Sequence, residues 1–314
     1  MLSIFASLRT TSFLKDGSFH CLFLFVASAC ILLNACSAKK PYLKIGLVAD
    51  PQYANKENSG KRNYKESLWK LEEAVKAFNE NDVSFVQNLG DIIDVDWESF
   101  DSILPIYESL DHDINNYHVL GNHDFSIDSI YMTELLDKLS MPNYYYSKSE
   151  SGWRFVALDA TDYAFYSNPL HQHPMEAIDE YYLKSEGRPN HQLWNSAIGE
   201  EQQNWLKEEL KQAKQMNQRV ILFSHLPLRP EDDSHNLWNA EDMVRLLEGS
   251  DNVVAYINGH NHAGALEYHN GIYYITIAGM VDTMISSYGI LEFYQDSLIL
   301  RGFGNQESLH LSIK

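Results

Sequence analysis

Five short apolar runs, each ending in residues that can bind a cation, set the tightest limit on what this chain can fold into. Leu43–Ala49 leads to Asp50-Pro-Gln52, and Val83–Leu89 to Gly90-Asp91. Tyr117–Leu120 leads to Gly121-Asn-His-Asp124, Val220–Phe223 to Ser224-His225, and Val253–Ile257 to Gly259-His-Asn-His262. Apolar runs of about four to eight residues bounded by turn residues read as buried strands. Their ends then deliver Asp50, Asp91, Asn122, His123, His225, His260 and His262 to loops. Oxygen and imidazole donors in this proportion suit two divalent cations sharing a carboxylate, a device for attacking phosphorus.

The motifs differ in weight. Asp50 and Asp91 each read alone as ordinary turn residues. Gly121–Asp124 says more, because three ligand-capable side chains in a row at a strand end have no packing rationale, and Gly121 permits a sharp turn. His260 and His262 say most: alternate residues of an extended segment point to one side, so both rings reach one cluster.

The intervening segments alternate between helix and strand. Tyr64, Leu68, Leu71, Val75 and Phe78 recur at steps of four and three, which predicts a helix over 62–80 with a core-facing stripe. Further helices are expected at 97–110, 129–139, from Gly199 onward and at 240–247. Glu200 and Glu201 in the first turn of the fourth suit the helix dipole. Strands are expected at 144–146, 153–158, 272–278, 288–294 and 297–303, with Gln295-Asp296 as a hairpin turn. Early βα units followed by late hairpins predict an α/β sandwich of mixed sheets in one domain, over 42–314. The stretch 160–198 lacks periodicity and is rich in aromatic residues. It reads as a lid-like insertion, since long irregular segments are usually functional or disordered. His171 and His173 within it read as loop histidines, not as ligands.

The first residues do not belong to this domain. Arg9 and Lys15 precede an uncharged run, Cys21–Ala35, in the manner of an export signal. Leu33-Asn-Ala-Cys36 resembles a bacterial lipoprotein signal, which implies a signal peptide over 1–36, lipidation of Cys36 and a linker at 37–41. The alternative is an uncleaved anchor over 17–38, near the ~20 apolar positions a span requires. Either reading places the domain outside the cytoplasm, periplasmic or at the cell surface, and tethers it to a membrane. All three cysteines (21, 30 and 36) lie in this leader. The domain is therefore expected to have no disulfide and no thiolate ligand, and any metal must be held by nitrogen and oxygen. A formal net charge of −19 excludes a polymeric nucleic acid partner, which needs a basic footprint.

The motif order Asp-x-Gln, Gly-Asp, Gly-Asn-His-Asp, His, Gly-His-x-His resembles the calcineurin-like metallophosphoesterase superfamily. Within it, Asp50–Ala54, Gly90–Asp94, Arg154–Ala160, Gln203–Leu206, Ser224–Pro230 and Gly279–Thr283 are similar to manganese-dependent ADP-ribose/CDP-alcohol diphosphatases. The resemblance implies a four-layer α/β/β/α sandwich of two mixed sheets, with a binuclear metal site at strand ends. It implies that Asp91 bridges the cations, that Asp50, Gln52 and His262 complete one site, and that Asn122, His225 and His260 complete the other. His123 is then the catalytic imidazole, with Asp124 orienting it. Gln52 stands where the superfamily usually has His. Its harder amide oxygen favours Mn²⁺ or Mg²⁺, with Zn²⁺ and Fe²⁺ the other candidates. Position 94 is Asp, which excludes the tyrosinate iron of purple acid phosphatases. The expected substrate is a nucleoside diphosphate linked to an alcohol or sugar, assisted by Lys61, Arg62 or Arg229. Two alternatives stay open: a general phosphomonoesterase or phosphodiesterase, and an inactive surface binding protein. Oligomeric state is not legible.

Overall fold

Strands apolar on both faces must be covered on both faces, and this chain folds accordingly. The computed structural model describes residues 40–313. The leader over 1–36, Cys36 and the alternative anchor over 17–38 lie outside the described residues, as does most of the 37–41 linker. No helix among the described residues is long and apolar enough to cross a membrane.

The first sheet has the order β12-β11-β10-β1-β2-β3, formed by Leu309–Ser312, Ser297–Gly304, Ser287–Phe293, Leu43–Val48, Phe85–Asn88 and Asn115–His118. The second has the order β4-β5-β6-β7-β9-β8, formed by Tyr146–Glu150, Trp153–Ala157, Arg219–Phe223, Val253–Asn258, Ile272–Thr276 and Ala265–His269. Alternation along the strands decides which residue meets which layer. Ile45, Leu47 and Phe85 of the first sheet meet Phe155, Phe223 and Ile257 of the second in the inter-sheet core. The Phe85 and Phe155 rings cross edge to face at 5.1 Å, a favoured aromatic geometry. On the outer face of the first sheet, Val48 and Val86 pack against α1 (Ser67–Glu80) and α2 (Glu98–Tyr107) through Leu71, Val75, Phe78 and Ile103. On the other outer face, Val156, Leu222 and Tyr256 pack against Leu206, Leu210, Met243 and Leu247, which belong to the helices Glu200–Gln215 and Ala240–Glu248. The result is the four-layer α/β/β/α sandwich.

β1, β2 and β3 run parallel, as do β5, β6, β7 and β9. Parallel strands put all their C-terminal ends on one edge of a sheet, where open α/β folds hold ligands. Each of the five ligand motifs follows such an end.

Local departures have local causes. The helix expected from 62 starts at Ser67, because Arg62 instead pairs in extended form with Ser59 and Asp282. The helix expected over 129–139 is a 3-10 turn (Ser129–Glu134) followed by α3 (Leu135–Lys138). The insertion holds α4 (Asn168–His171) and α5 (Met175–Lys184). Ile178 is the one fully buried residue of α5, too little to print a stripe in the sequence. The helices after it are α6 (Glu200–Gln215) and α7 (Ala240–Glu248). Edge strands β8 and β12 carry mostly half-exposed side chains and so lack the apolar signature of the inner strands.

Candidate metal centre

The seven expected ligands converge in one continuous network. Asp50 Oδ1 lies 3.5 Å from His262 Nε2, and that nitrogen lies 3.2 Å from the Gln52 amide nitrogen. The Gln52 amide donates to Asp91 Oδ2 at 3.0 Å. His225 Nε2 lies 3.3 Å from both Asp91 Oδ2 and Asn122 Oδ1. His260 joins with a ring nitrogen within 4.8 Å of donor atoms of Asp91 and His225. Asp50, Gln52, Asp91, His225 and His260 are buried.

The backbone is bent to make this possible. Asp50, Gln52, Asp91 and His260 all have positive φ, of 50°, 44°, 53° and 69°. A non-glycine residue in that region costs about 1–3 kcal/mol and persists only where its surroundings over-determine it. The two neighbouring glycines are needed for close approach. A Cβ on Gly121 would sit 2.2 Å from Asp91 Oδ1, and one on Gly90 would sit 2.7 Å from His225 Nδ1. Gly121 is thus required by the carboxylate beside it, more than by the sharp turn the sequence suggested.

Each imidazole is fixed by what its far nitrogen touches. His225 Nδ1 donates to the Leu89 carbonyl at 2.7 Å, which leaves Nε2 facing Asp91 and Asn122. His262 Nδ1 lies 3.0 Å from Asp282 Oδ1, which leaves Nε2 facing Asp50 and Gln52. His260 Nε2 lies 3.2 Å from Asn195 Oδ1, and the Asn195 amide donates to Asn190 O and Ser234 O, so its oxygen is the end offered to His260. This is the outer hydrogen bonding that orients metal-ligating histidines. Asp282 is held in turn by the buried Lys70, whose ammonium donates to Met280 O at 2.9 Å and Thr283 O at 2.6 Å.

The charge pattern favours cations. Burial alone would lower the His225 imidazole, but the carboxylates of Asp91 and Asp50 outweigh it and push it up to about 9. His262 is likewise lowered by burial, then pushed up to about 10 by Asp50 and Asp282. Burial would raise the Asp91 carboxyl, but His225 and His123 hold it well below the ordinary carboxylate range. A field that holds protons this firmly also draws divalent cations, which compete for the same lone pairs. Gln52 Oε1 is buried without a hydrogen-bond partner, an acceptor that a cation would satisfy. The residues present therefore fit two divalent ions held by nitrogen and oxygen alone.

Asp124 does not orient His123. Its carboxylate accepts from the backbone N–H groups of Asp91 (3.0 Å), Ile92 (2.8 Å) and Gly121 (2.9 Å), clamping two ligand loops together. The partner of His123 is Asp94: Nδ1 donates to the Asp94 backbone carbonyl at 3.2 Å and lies at ion-pair distance, also 3.2 Å, from its Oδ1. Asp94 also pairs with Lys56, and it faces Arg62 at 3.6 Å. Arg62 lines the cleft over the ligands, whereas Lys61 lines an adjoining hollow. Arg229 lines neither: its Nε donates to Glu267 at 2.7 Å, and it borders a hollow shared with Arg188 and Glu241. Of the three expected cationic helpers, Arg62 lines the cleft itself, Lys61 lines the hollow bordered by His260 and His262, and Arg229 lies away from both. Asn195, Asp282, Asp94 and His235 were not singled out by sequence. Asp94 and Asp282 lie in quoted motifs, but nothing local marks Asn195 or His235.

Asp282→Asn keeps the shape of the side chain but removes the anion behind His262. Affinity for Mn²⁺ at the Asp50 side of the centre should fall ~10- to 100-fold, the usual cost of losing such a partner. Titration calorimetry with Mn²⁺ measures it, and an unchanged Kd would remove Asp282 from the site.

Comparison with known proteins points the same way. The profile of the family described as calcineurin-like phosphoesterase matches residues 43–264. The protein named manganese-dependent ADP-ribose/CDP-alcohol diphosphatase from Oryza sativa subsp. japonica is 30% identical, over 85% of this chain and 92% of its own. The Homo sapiens protein of that name is 28% identical, over 82% of this chain and 89% of its own. A solved dimetal phosphatase from Danio rerio is similar in structure, with a TM-score of 0.79 at 25% identity, covering 88% of this chain and 100% of that one. The profile takes in every ligand loop from Asp50 to His262, and those loops meet in space as the fold requires. The chain belongs to the calcineurin-like phosphoesterase family and is a hydrolase of phosphoric ester bonds.

Proposed function

We propose that the chain hydrolyses the P–O–P bond of a nucleoside diphosphate linked to an alcohol or a sugar, with Mn²⁺ as its working cation. The observation that carries this reading is the cleft of about 360 Å³ over the ligands, where Trp194, Arg62, His235 and His123 share the walls with the metal-binding residues. Trp194 is 46% exposed there, a large apolar ring left open beside a polar centre. An indole face suits a nucleobase, and stacking of a base on an aromatic ring is worth about 1–3 kcal/mol. Arg62 offers a guanidinium to a phosphate. The names of the curated relatives support the substrate class, and the amide of Gln52 supports the harder cation.

Bound divalent cations supply Lewis acidity and a water of lowered pKa. The chain's own residues do the rest. Asp91 links the two halves of the centre through Oδ2, which faces Gln52 on one side and His225 on the other, while Oδ1 accepts the His123 backbone N–H. Trp194 and Arg62 position base and phosphate so that the reacting phosphorus lies over Asp91. His123 turns Nε2 toward the cleft, because Nδ1 faces Asp94, and so stabilises charge on the leaving oxygen.

A panel of ADP-ribose, CDP-choline and p-nitrophenyl phosphate, each with Mn²⁺, Mg²⁺ and Zn²⁺, tests the reading. The diphosphates with Mn²⁺ should give the highest kcat/KM. Trp194→Ala should raise KM for the diphosphates about tenfold, one decade per 1.4 kcal/mol of lost stacking, and leave p-nitrophenyl phosphate unaffected. A preference for the monoester, or a Trp194 variant that treats all three alike, would replace the diphosphatase reading with that of a general phosphoesterase.

A further inference from the structure

A second set of donors meets at the base of the insertion. Asp162, His171 and His173 each bring a donor atom within 4.8 Å of the others. Asp159 flanks this trio on one side, its Oδ2 3.3 Å from His171 Nε2, while His173 Nε2 lies 2.9 Å from Asp162 Oδ1. From this convergence we propose a structural zinc site with His171, His173, Asp159 and Asp162 as ligands, separate from the catalytic centre.

Four observations carry it. First, the His171 side chain is 8% exposed, yet its buried Nε2 makes no hydrogen bond. A buried polar atom left orphaned needs an explanation, and a cation between it and Asp159 gives one. Second, the two carboxylates have no lysine or arginine within ion-pair distance among the described residues, and their only ion-pair partners there are the two imidazoles. Two crowded carboxylates without a fixed cation are costly to bury. Third, the other oxygens are already engaged. Asp159 Oδ1 accepts from Thr161 N at 2.8 Å and Thr161 Oγ1 at 2.6 Å, and Asp162 Oδ2 accepts from Gly199 N at 2.9 Å. That leaves Asp159 Oδ2 and Asp162 Oδ1 turned to the histidines, with their outer bonds made as in oriented metal sites. Fourth, the rings are braced: Tyr163 stacks on His173 at 3.8 Å, and Tyr144 packs edge-on to His171 at 5.0 Å.

Two imidazoles and two carboxylates without sulfur form a four-donor set that tetrahedral Zn²⁺ accepts. His173 and Asp162 are 24% and 15% exposed, so an ion has a way in. The cation would tie the loop after β5 to the end of α4 and the entry to α5, and through Gly199 to the start of α6. The insertion so fastened carries Trp194 and Asn195 to the catalytic centre. The inference stands on these contacts and is independent of the diphosphatase reading.

Zinc content of the full chain, loaded with Zn²⁺, desalted and measured by plasma mass spectrometry, is the test. Wild type should hold about three zinc ions per chain, two at the catalytic centre and one here, and His171→Gln/His173→Gln about two. Asp91→Asn, which disables the catalytic centre, should retain at least one, with a thermal midpoint that still rises on zinc addition. Wild type holding no more zinc than the double variant overturns the proposal. So does a third zinc that survives the double substitution, or an Asp91→Asn protein that holds none.

Discussion

Asp91→Asn should fold normally and lose turnover by about 10³-fold or more. Cations at such a centre contribute several kcal/mol to the transition state, and each 1.36 kcal/mol is a decade in rate. The substitution is chosen for shape. Asp91 Oδ1 accepts the His123 backbone N–H at 2.8 Å, and an asparagine oxygen keeps that bond. The amide NH₂ then replaces Oδ2, the atom facing Gln52 Nε2 at 3.0 Å and His225 Nε2 at 3.3 Å. A donor would now stand where two cations need an anion. Metal content at the catalytic centre should fall with activity. A second readout needs no metal. Burial pulls the His225 imidazole down and Asp91 is the largest influence raising it, so the His225 pKa of about 9 should drop in the metal-free variant, as followed by NMR. If Asp91→Asn kept both cations and near-normal turnover, the shared-carboxylate centre would be wrong.

Legibility from sequence followed a physical rule. Residues whose chemistry is announced by their own neighbours in the chain were visible: His260 and His262 by their crowding after a strand, Asn122 and His123 likewise, α1 by its stripe. The expected alternation is not what gathers the two rings, because the segment bends at His260, whose φ is 69°. Residues defined by what they meet across the fold were not. Asn195 meets His260 across 65 positions, and its segment carries no periodic signal. Asp124 was read as a neighbour of His123, which it is in the chain, but its carboxylate turns back to the amides of the Asp91 loop. Asp94 took its place: its backbone carbonyl and its Oδ1 each stand 3.2 Å from His123 Nδ1, a contact made across 29 positions. Arg229 shows the same limit from the other side: four residues after His225 in sequence, it is turned away from the cleft by Glu267. Strands β8 and β12 were missed because edge strands have little to bury.

His123→Ala should keep the cations and lose ~10²-fold or more in kcat, the range for a positioned acid or charge-stabilising donor. Unlike the ligands, His123 contributes its backbone N–H to Asp91, a bond that alanine retains. The imidazole is tuned from behind. Burial works against its charged form, but the carboxylates of Asp91 and Asp94 outweigh burial and hold it above its ordinary value. The protonated form is the one that can help a leaving oxygen, so activity should fall as pH rises through the His123 pKa. Asp94→Asn removes one of the raising carboxylates, so that falling limb should move to lower pH while metal content stays at the wild-type level. Substrate choice separates acid catalysis from simple packing. An alkoxide needs the proton more than a departing phosphate does, whose own second pKa is only about 6. The loss in His123→Ala should therefore be larger on a simple alkyl phosphodiester than on ADP-ribose. Equal losses on both would make His123 a positioning residue, and loss of metal would make it a ligand.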